Sequence, residues 1–146
     1  MKPYVPLGIL YLASHLRARN FDVEVFDTTF SSRTDLLNVL HNTEPEVLGV
    51  YANLMTRPSV VRILQAAKDA GWKTVVGGPE SGANVEEYLL AGADVVVIGE
   101  GEITMEELLP ILRAQAREQE NWQISLTQTG GCGRRCPPSQ PAGGRP

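Results

Sequence analysis

Short runs of β-branched and aliphatic residues recur along this chain with a helical pattern between them, and that alternation restricts the fold more than any other feature. Val47–Ala52 reads as a strand, Pro58–Ala70 as a helix closed by Gly71, and Thr74–Gly77 as a strand ending in Gly77-Gly78-Pro79. Val85–Ala91 reads as a short helix capped by Gly92, and Val95–Ile98 as a wholly apolar strand. Thr104–Arg117 follows as a longer amphipathic helix that Pro110 should kink or break. Upstream, Pro6 to about Arg19 has helical spacing, and Phe21–Asp27 alternates like a short strand. Ser31 and Ser32 are good N-caps for a helix through Leu36, Leu37, Val39 and Leu40 that ends by Pro45. Strands apolar on both faces and separated by helices belong in a parallel sheet covered on both sides, with right-handed connections. The expected fold is α/β, a three-layer α/β/α sandwich with four visible strands and five helices.

The chain opens on a helix, whereas folds of this class begin with a strand that usually sits at the centre of the sheet. Leaving that slot empty strands backbone groups on its neighbours, at about 1–3 kcal/mol for each buried unsatisfied group. The sequence therefore predicts either another segment in the slot or a domain incomplete at its N-terminus.

Nearly all aliphatic content precedes Arg117, which divides the chain into a folded domain over residues 1–117 and an irregular, disordered tail over 118–146. The net charge of −4 argues against a nucleic-acid partner, which calls for a clustered Lys/Arg surface; Arg134, Arg135 and Arg145 are too few to supply one. No window has the apolar length of a membrane span, and the N-terminus lacks the pattern of a cleavable leader, so the expected location is the cytoplasm. The two cysteines, Cys132 and Cys136, both fall in the tail and make no disulfide framework for the body.

In open α/β sheets the ligand lies outside the carboxyl ends of the strands, which singles out five loops. They are Tyr4-Val5-Pro6-Leu7-Gly8, Asp27-Thr28-Thr29-Phe30, Tyr51-Ala52-Asn53-Leu54-Met55-Thr56, Gly77-Gly78-Pro79-Glu80-Ser81 and Gly99-Glu100-Gly101-Glu102. Gly77 and Gly78 let backbone approach a ligand closely, although an ordinary tight turn between strand and helix would use them too. Glu100 and Glu102 oppose a phosphate and suit hydroxyl or amide donors; they equally suit a helix dipole. The stretch Gly99-Glu100-Gly101-Glu102-Ile103-Thr104 has threonine where a dinucleotide fingerprint needs its third glycine, and no Walker A loop is present. His15 and His41 fall on helices, away from the strand-end loops, and no Ser-His-Asp or Cys-His set can be assembled. An enzyme using Glu80 or Glu100 as a base lacks a paired group. The residues describe a binder of a sizeable ligand, not a self-contained catalyst.

Taken in order, several segments carry a family resemblance. They are Pro6-Leu7-Gly8-Ile9-Leu10-Tyr11-Leu12-Ala13, Val23-Glu24-Val25-Phe26-Asp27, Gly49 to Thr56, Val76-Gly77-Gly78-Pro79-Glu80, and Ala91 to Glu102. Over about residues 3–113 the chain resembles the N-terminal cobalamin-binding domain of B12-dependent radical SAM enzymes, a group that includes the anaerobic magnesium-protoporphyrin ester cyclases. The resemblance implies a flavodoxin-like, Rossmann-like sheet of order 2-1-3-4-5, with cobalamin across the strand ends and its nucleotide tail running into the fold. It implies cofactor contacts from Pro6, Leu7, Gly8, Asp27, Thr28, Tyr51, Asn53, Leu54, Met55, Thr56, Gly77, Gly78, Pro79, Glu80, Ser81, Gly99, Glu100, Gly101 and Glu102. Gly77 and Gly78 would line a slot poor in side chains, and Leu54 and Met55 would offer apolar surface beneath the ring.

Related methyltransferase-type domains carry a D-x-H-x-x-G loop that gives cobalt a histidine; this chain has none, so cobalamin is expected without a protein histidine. Ala52 stands where those relatives place the serine of an S-x-L element. Family members begin with a strand before the Pro-Leu-Gly helix and continue into a radical SAM barrel with C-x3-C-x2-C, whose thiolates hold a [4Fe–4S] cluster. Here Cys132 and Cys136 have the first spacing but Ser139 takes the third position, so no such cluster is expected in this chain. The expected function is thus a cobalamin-binding module lacking the barrel, which would be encoded separately or lost. The alternative is a flavodoxin-like remnant or interaction module with no retained ligand, and a Gly78→Trp substitution would separate the two.

Overall fold

The computed structural model describes residues 7–27 and 31–128 of the 146. Its elements run α1 (Leu7–Ala18), α2 (Arg33–Asn42), β1 (Val47–Tyr51), α3 (Arg57–Asp69), β2 (Lys73–Gly77), a single 3-10 turn (Ser81–Ala83), α4 (Val85–Ala91), β3 (Val95–Val96) and α5 (Glu102–Gln128). The three strands are parallel in the order β1-β2-β3, with Val47 opposite Lys73 and Val75 opposite Val95. Hydrogen bonds prolong both pairings: Ala52 N–H donates to Gly77 O at 2.7 Å and Val97 N–H to Val76 O at 2.8 Å.

Successive strand residues serve opposite faces, and each face carries its own core. Val47, Val75, Val95 and Val97 pack with Leu12 and Leu16 of α1 and with Met105, Leu108 and Leu112 of α5. Val50, Ala52, Val76 and Val96 pack instead with Val60 and Leu64 of α3 and Tyr88 and Ala91 of α4. Leu48 adds a third cluster with Leu36 and Leu40 of α2, Ala67 of α3 and Trp72, whose indole N–H donates to Leu40 O. Helices thus cover both sheet faces, as the α/β/α reading requires. At the start of α2, Ser32 Oγ accepts from Asp35 N–H in a reciprocal cap, and the Asp35 carboxylate accepts from the Ser32 hydroxyl and then from Ser32 N–H, which hold its carboxyl below the ordinary range.

Four expectations need correction. Phe21–Asp27 is not a strand of the sheet: among the described residues β1 pairs only with β2. The segment nevertheless keeps a strand's alternation, since Phe21 and Val23 face the α1/α5 core and Phe26 faces the α2 cluster. In the order 2-1-3-4-5 it would pair with the first strand alone, and among the described residues the Val23 carbonyl accepts from the Arg17 guanidinium. The sheet among the described residues therefore has three strands, not four.

The last strand stops at Val96, short of Ile98, because the chain leaves the sheet after Val97 and Ile98 turns outward, 66 % exposed. Pro110 does not break α5: it sits on the exposed side of the helix, where water can reach the carbonyl it leaves unbonded. Finally, α5 continues to Gln128, so the irregular tail does not begin at residue 118. Cys132, Cys136 and Ser139 lie outside the described residues.

Candidate cofactor-binding site

The loops after β1, β2 and β3 meet at the carboxyl end of the sheet around a cleft of about 360 Å³, lined by Tyr51, Gly78, Pro79, Ser81, Gly82, Ile98 and Gly99. Parallel strands set this up, because every βα connection leaves from the same edge. Of the residues that sequence reasoning selected, Tyr51, Gly78, Pro79, Ser81 and Gly99 line the cleft. Gly8 sits beside it at the start of α1, where an added Cβ would lie 3.4 Å from Tyr51 Cε2. Gly82 and Ile98 were missed. The signal for Gly82 was its place three residues beyond Pro79 in the same glycine-rich loop, and Ile98 was hidden by reading it as strand.

Gly78 serves the fold before any ligand. Its φ of +121° is closed to ordinary side chains, and a Cβ there would lie 2.3 Å from Ala52 O. The β2 loop therefore rests directly on the backbone at the end of β1. Ser81, fully buried, ties the same loop to the end of β3. Its N–H donates to Gly78 O at 3.2 Å, which frees its hydroxyl proton for Val97 O at 2.7 Å, with Gly78 O also within reach at 2.8 Å. The cleft floor is thus stitched from three backbone segments and carries little side chain.

Asn53 and Thr56 shape the β1 loop. The Asn53 side-chain carbonyl accepts from Met55 N–H at 3.0 Å and Thr56 N–H at 2.9 Å, while Thr56 Oγ1 accepts from Asn53 N–H at 3.1 Å. That reciprocal lock carries Leu54 and Met55 outward, 74 % and 73 % exposed. Leu7 at the start of α1 and Ile103 in the first turn of α5 are exposed at the same end of the sheet. Isolated apolar side chains on a surface are ordinary; of the exposed ones, Ile98 lines the cleft itself, and these four belong to the segments that leave the same edge of the sheet.

Other expected contacts fall elsewhere. Glu80 turns away from the cleft: its side chain is 10 % exposed, 3.4 Å from the Arg57 guanidinium, and it accepts from Asn84 Nδ2 at 3.0 Å. Gly77 is not among the cleft residues; a Cβ there would approach only Val97, at 4.0 Å. Gly101 O accepts from Met105 N–H at 2.8 Å at the start of α5, Glu102 is the first residue of that helix, and Glu100 is exposed before it. Asp27 is half-buried at the end of the extended segment. Pro6 and Thr28 lie outside the described residues.

Among the described residues no three His, Cys, Asp or Glu side chains gather into a metal site, and no helix is long and apolar enough to cross a membrane. His15 Nε2 lies 3.1 Å from Glu106 Oε2, joining α1 to α5 away from the cleft, and His41 is exposed on α2.

Comparison with known proteins agrees with this geometry. The chain is 30% identical over 113 residues to an uncharacterized methyltransferase of Pyrococcus horikoshii, covering 73% of this chain and 24% of that protein. It is 30% identical over 132 residues to a hopanoid C-3 methylase of Methylococcus capsulatus, covering 86% of this chain and 26% of that protein. The chain therefore spans about a quarter of the length of these relatives. Among solved structures, the N-terminal domain of a hypothetical protein from Thermotoga maritima superposes with a TM-score of 0.50. At 24% identity, over 75% of this chain and 86% of that one, it speaks for the fold alone. The sequence profile described as B12 binding domain matches residues 2–109, a span that holds all three strands and every loop of the cleft. A flavodoxin-like sheet, a glycine-rich cleft at its carboxyl edge and a profile match over most of the chain lead to one assignment: the chain belongs to the B12 binding domain family.

Proposed function

We propose that this domain holds cobalamin across the carboxyl ends of β1, β2 and β3, as the cofactor module of a methyl-transferring enzyme of the radical SAM type. The observation that carries the reading is the make-up of the cleft: glycines, Pro79 and Ser81 from the strand-end loops line it together with Tyr51 and the exposed Ile98. A corrin with its nucleotide tail is larger than the cleft, so Gly78–Gly82 and Ile98–Gly99 would hold part of it, with the rest over the neighbouring strand-end loops. Leu54 and Met55 would give it apolar surface, at roughly 25 cal/mol for each Å² of apolar area removed from water.

The residues fit a neutral, hydrogen-bonding guest better than a bare phosphate, because Glu100 and Glu102 follow Gly99 in the same loop. His15 pairs with Glu106 and His41 is exposed on α2, positions that support cobalamin bound without an imidazole from this chain. When bound, such a cofactor supplies a methyl carrier, and the chain's own part is to orient it and cover its tail. The relatives' names, a methyltransferase and a methylase, support methyl transfer as the reaction class. The catalytic barrel lies outside this domain.

The test is reconstitution with hydroxocobalamin followed by desalting. A near-stoichiometric corrin spectrum is expected in the protein fraction, and complete loss of colour would overturn the reading. Gly78→Trp does not separate binding from folding, because any side chain there strikes Ala52. Gly82→Trp does so: its Cβ would approach only the exposed Ile98 side chain, at 3.1 Å, and the indole fills the cleft. Loss of colour with an unchanged unfolding midpoint is expected. A colourless wild-type protein would instead favour an interaction module.

A further inference from the structure

One polar cluster beneath the cleft has no role in the contacts above. Arg57, the first residue of α3, reaches Glu80 in the β2 loop and Glu87 in the first turn of α4. One cation thus spans two carboxylates and joins the β1 loop, the β2 loop and α4. Two buried oxygens in the cluster, Glu80 Oε2 and the Tyr88 hydroxyl, have no partner among the described residues. Glu80 lies between two cleft residues, Pro79 and Ser81, yet its carboxylate is nine-tenths buried on the opposite side of the loop. A buried carboxylate is tolerated only where a cation and hydrogen bonds compensate it, and here Arg57 and Asn84 are what compensate it.

We propose that Arg57 is a positioning residue for the cofactor cleft: by neutralising Glu80 from below, it keeps the Gly78–Ser81 turn seated on the ends of β1 and β3. Without the cation, the carboxylate has a free-energy incentive to swing toward water, and its backbone, which forms the cleft wall, goes with it. The arrangement explains why a glutamate in a candidate ligand loop points away from the ligand. Its consequence for cobalamin rests on the function proposed above; its consequence for the turn does not.

The experiment compares wild type, Arg57→Met, Arg57→Lys and the double substitution Arg57→Met/Glu80→Gln, reading backbone amide resonances of Gly78, Ser81 and Val97 together with hydroxocobalamin affinity. Arg57→Met is expected to move those three resonances and to weaken cobalamin about tenfold, equivalent to about 1.4 kcal/mol. The double substitution is expected to return both toward wild type, since glutamine keeps the acceptor for Asn84 and removes the charge. Lysine, which keeps the charge but cannot fork between two carboxylates, is expected to fall between.

Unmoved resonances in Arg57→Met, or resonances that the double substitution fails to restore, would overturn the proposal. If Arg57→Met does not fold, a folded double variant is the same rescue, and failure of both to fold overturns it. A wild type that binds no cobalamin refutes the function proposed above, while the amide resonances still decide the role of Arg57.

Discussion

Alanine substitution at three glycines tests the claim that the cleft floor is a backbone-to-backbone contact. At Gly78 a Cβ would lie 2.3 Å from Ala52 O and 3.0 Å from Ala52 N, both backbone atoms that no rotamer change can move. Restoring an ordinary contact of 3.4 Å requires the two segments to part by 3.4 − 2.3, or 1.1 Å. The Ala52 N–H···O Gly77 bond, at 2.7 Å, lies at that junction and is stretched past useful range. Its loss costs about 1 kcal/mol. Holding alanine at a φ of +121° adds about 1–3 kcal/mol of strain. Together these give about 2–4 kcal/mol, a large share of the roughly 5–15 kcal/mol that stabilises a typical domain.

Gly99 isolates the strain: its φ is +84°, but a Cβ meets nothing within 4 Å, so Gly99→Ala should cost only about 1 kcal/mol. Gly49 has neither problem, and Gly49→Ala should be neutral or stabilise by up to about 1 kcal/mol through the unfolded chain. Urea unfolding at constant m-value measures all three. Should Gly78→Ala lose no more than Gly99→Ala, the close approach of the β1 and β2 ends would be refuted as the reason for glycine at that position.

Two further outcomes follow from the same end of the fold. Ser81→Ala removes the donor to Val97 O from a fully buried site and should lower stability by about 1–3 kcal/mol in urea unfolding, with weaker cobalamin retention because the β2 and β3 loops separate. A cost within error of zero would mean the hydroxyl is not what joins them. Tyr88 ionises above the ordinary phenol range, chiefly through burial and then through the charge of Glu80, against which Arg57 acts. A raised pKa gives stability that is complete below about pH 10 and is lost as the pH climbs through the folded value. Tyr88→Phe should therefore flatten the alkaline decline in unfolding free energy, and near neutrality it should cost nothing because the hydroxyl has no partner among the described residues. A marked loss at neutral pH would show that the hydroxyl is bonded after all.

What the sequence revealed, and what it concealed, divides along a physical line. Helices α1 to α4 and strands β1 and β2 were legible within a residue or two at most ends, because capping residues, glycine stops and unbroken apolar runs are local signals. The positions of the strand-end loops followed from topology alone, and five expected residues indeed line the cleft. Illegible were the matters that depend on a partner elsewhere in the chain. Phe21–Asp27 has a strand's alternation and buries its apolar residues on two faces, but a strand is completed by a ladder, and β1 pairs with β2 alone among the described residues. Glu80 sits in a ligand loop, yet its direction was decided by Arg57, twenty-three positions earlier, and by Asn84 on the far side of a 3-10 turn. Gly78 looked like an opening for a ligand, whereas the neighbour that demands a glycine is Ala52. Alternation and spacing report which surface a residue can reach; the charge or backbone atom waiting there decides whether it faces the cofactor or holds the cleft together.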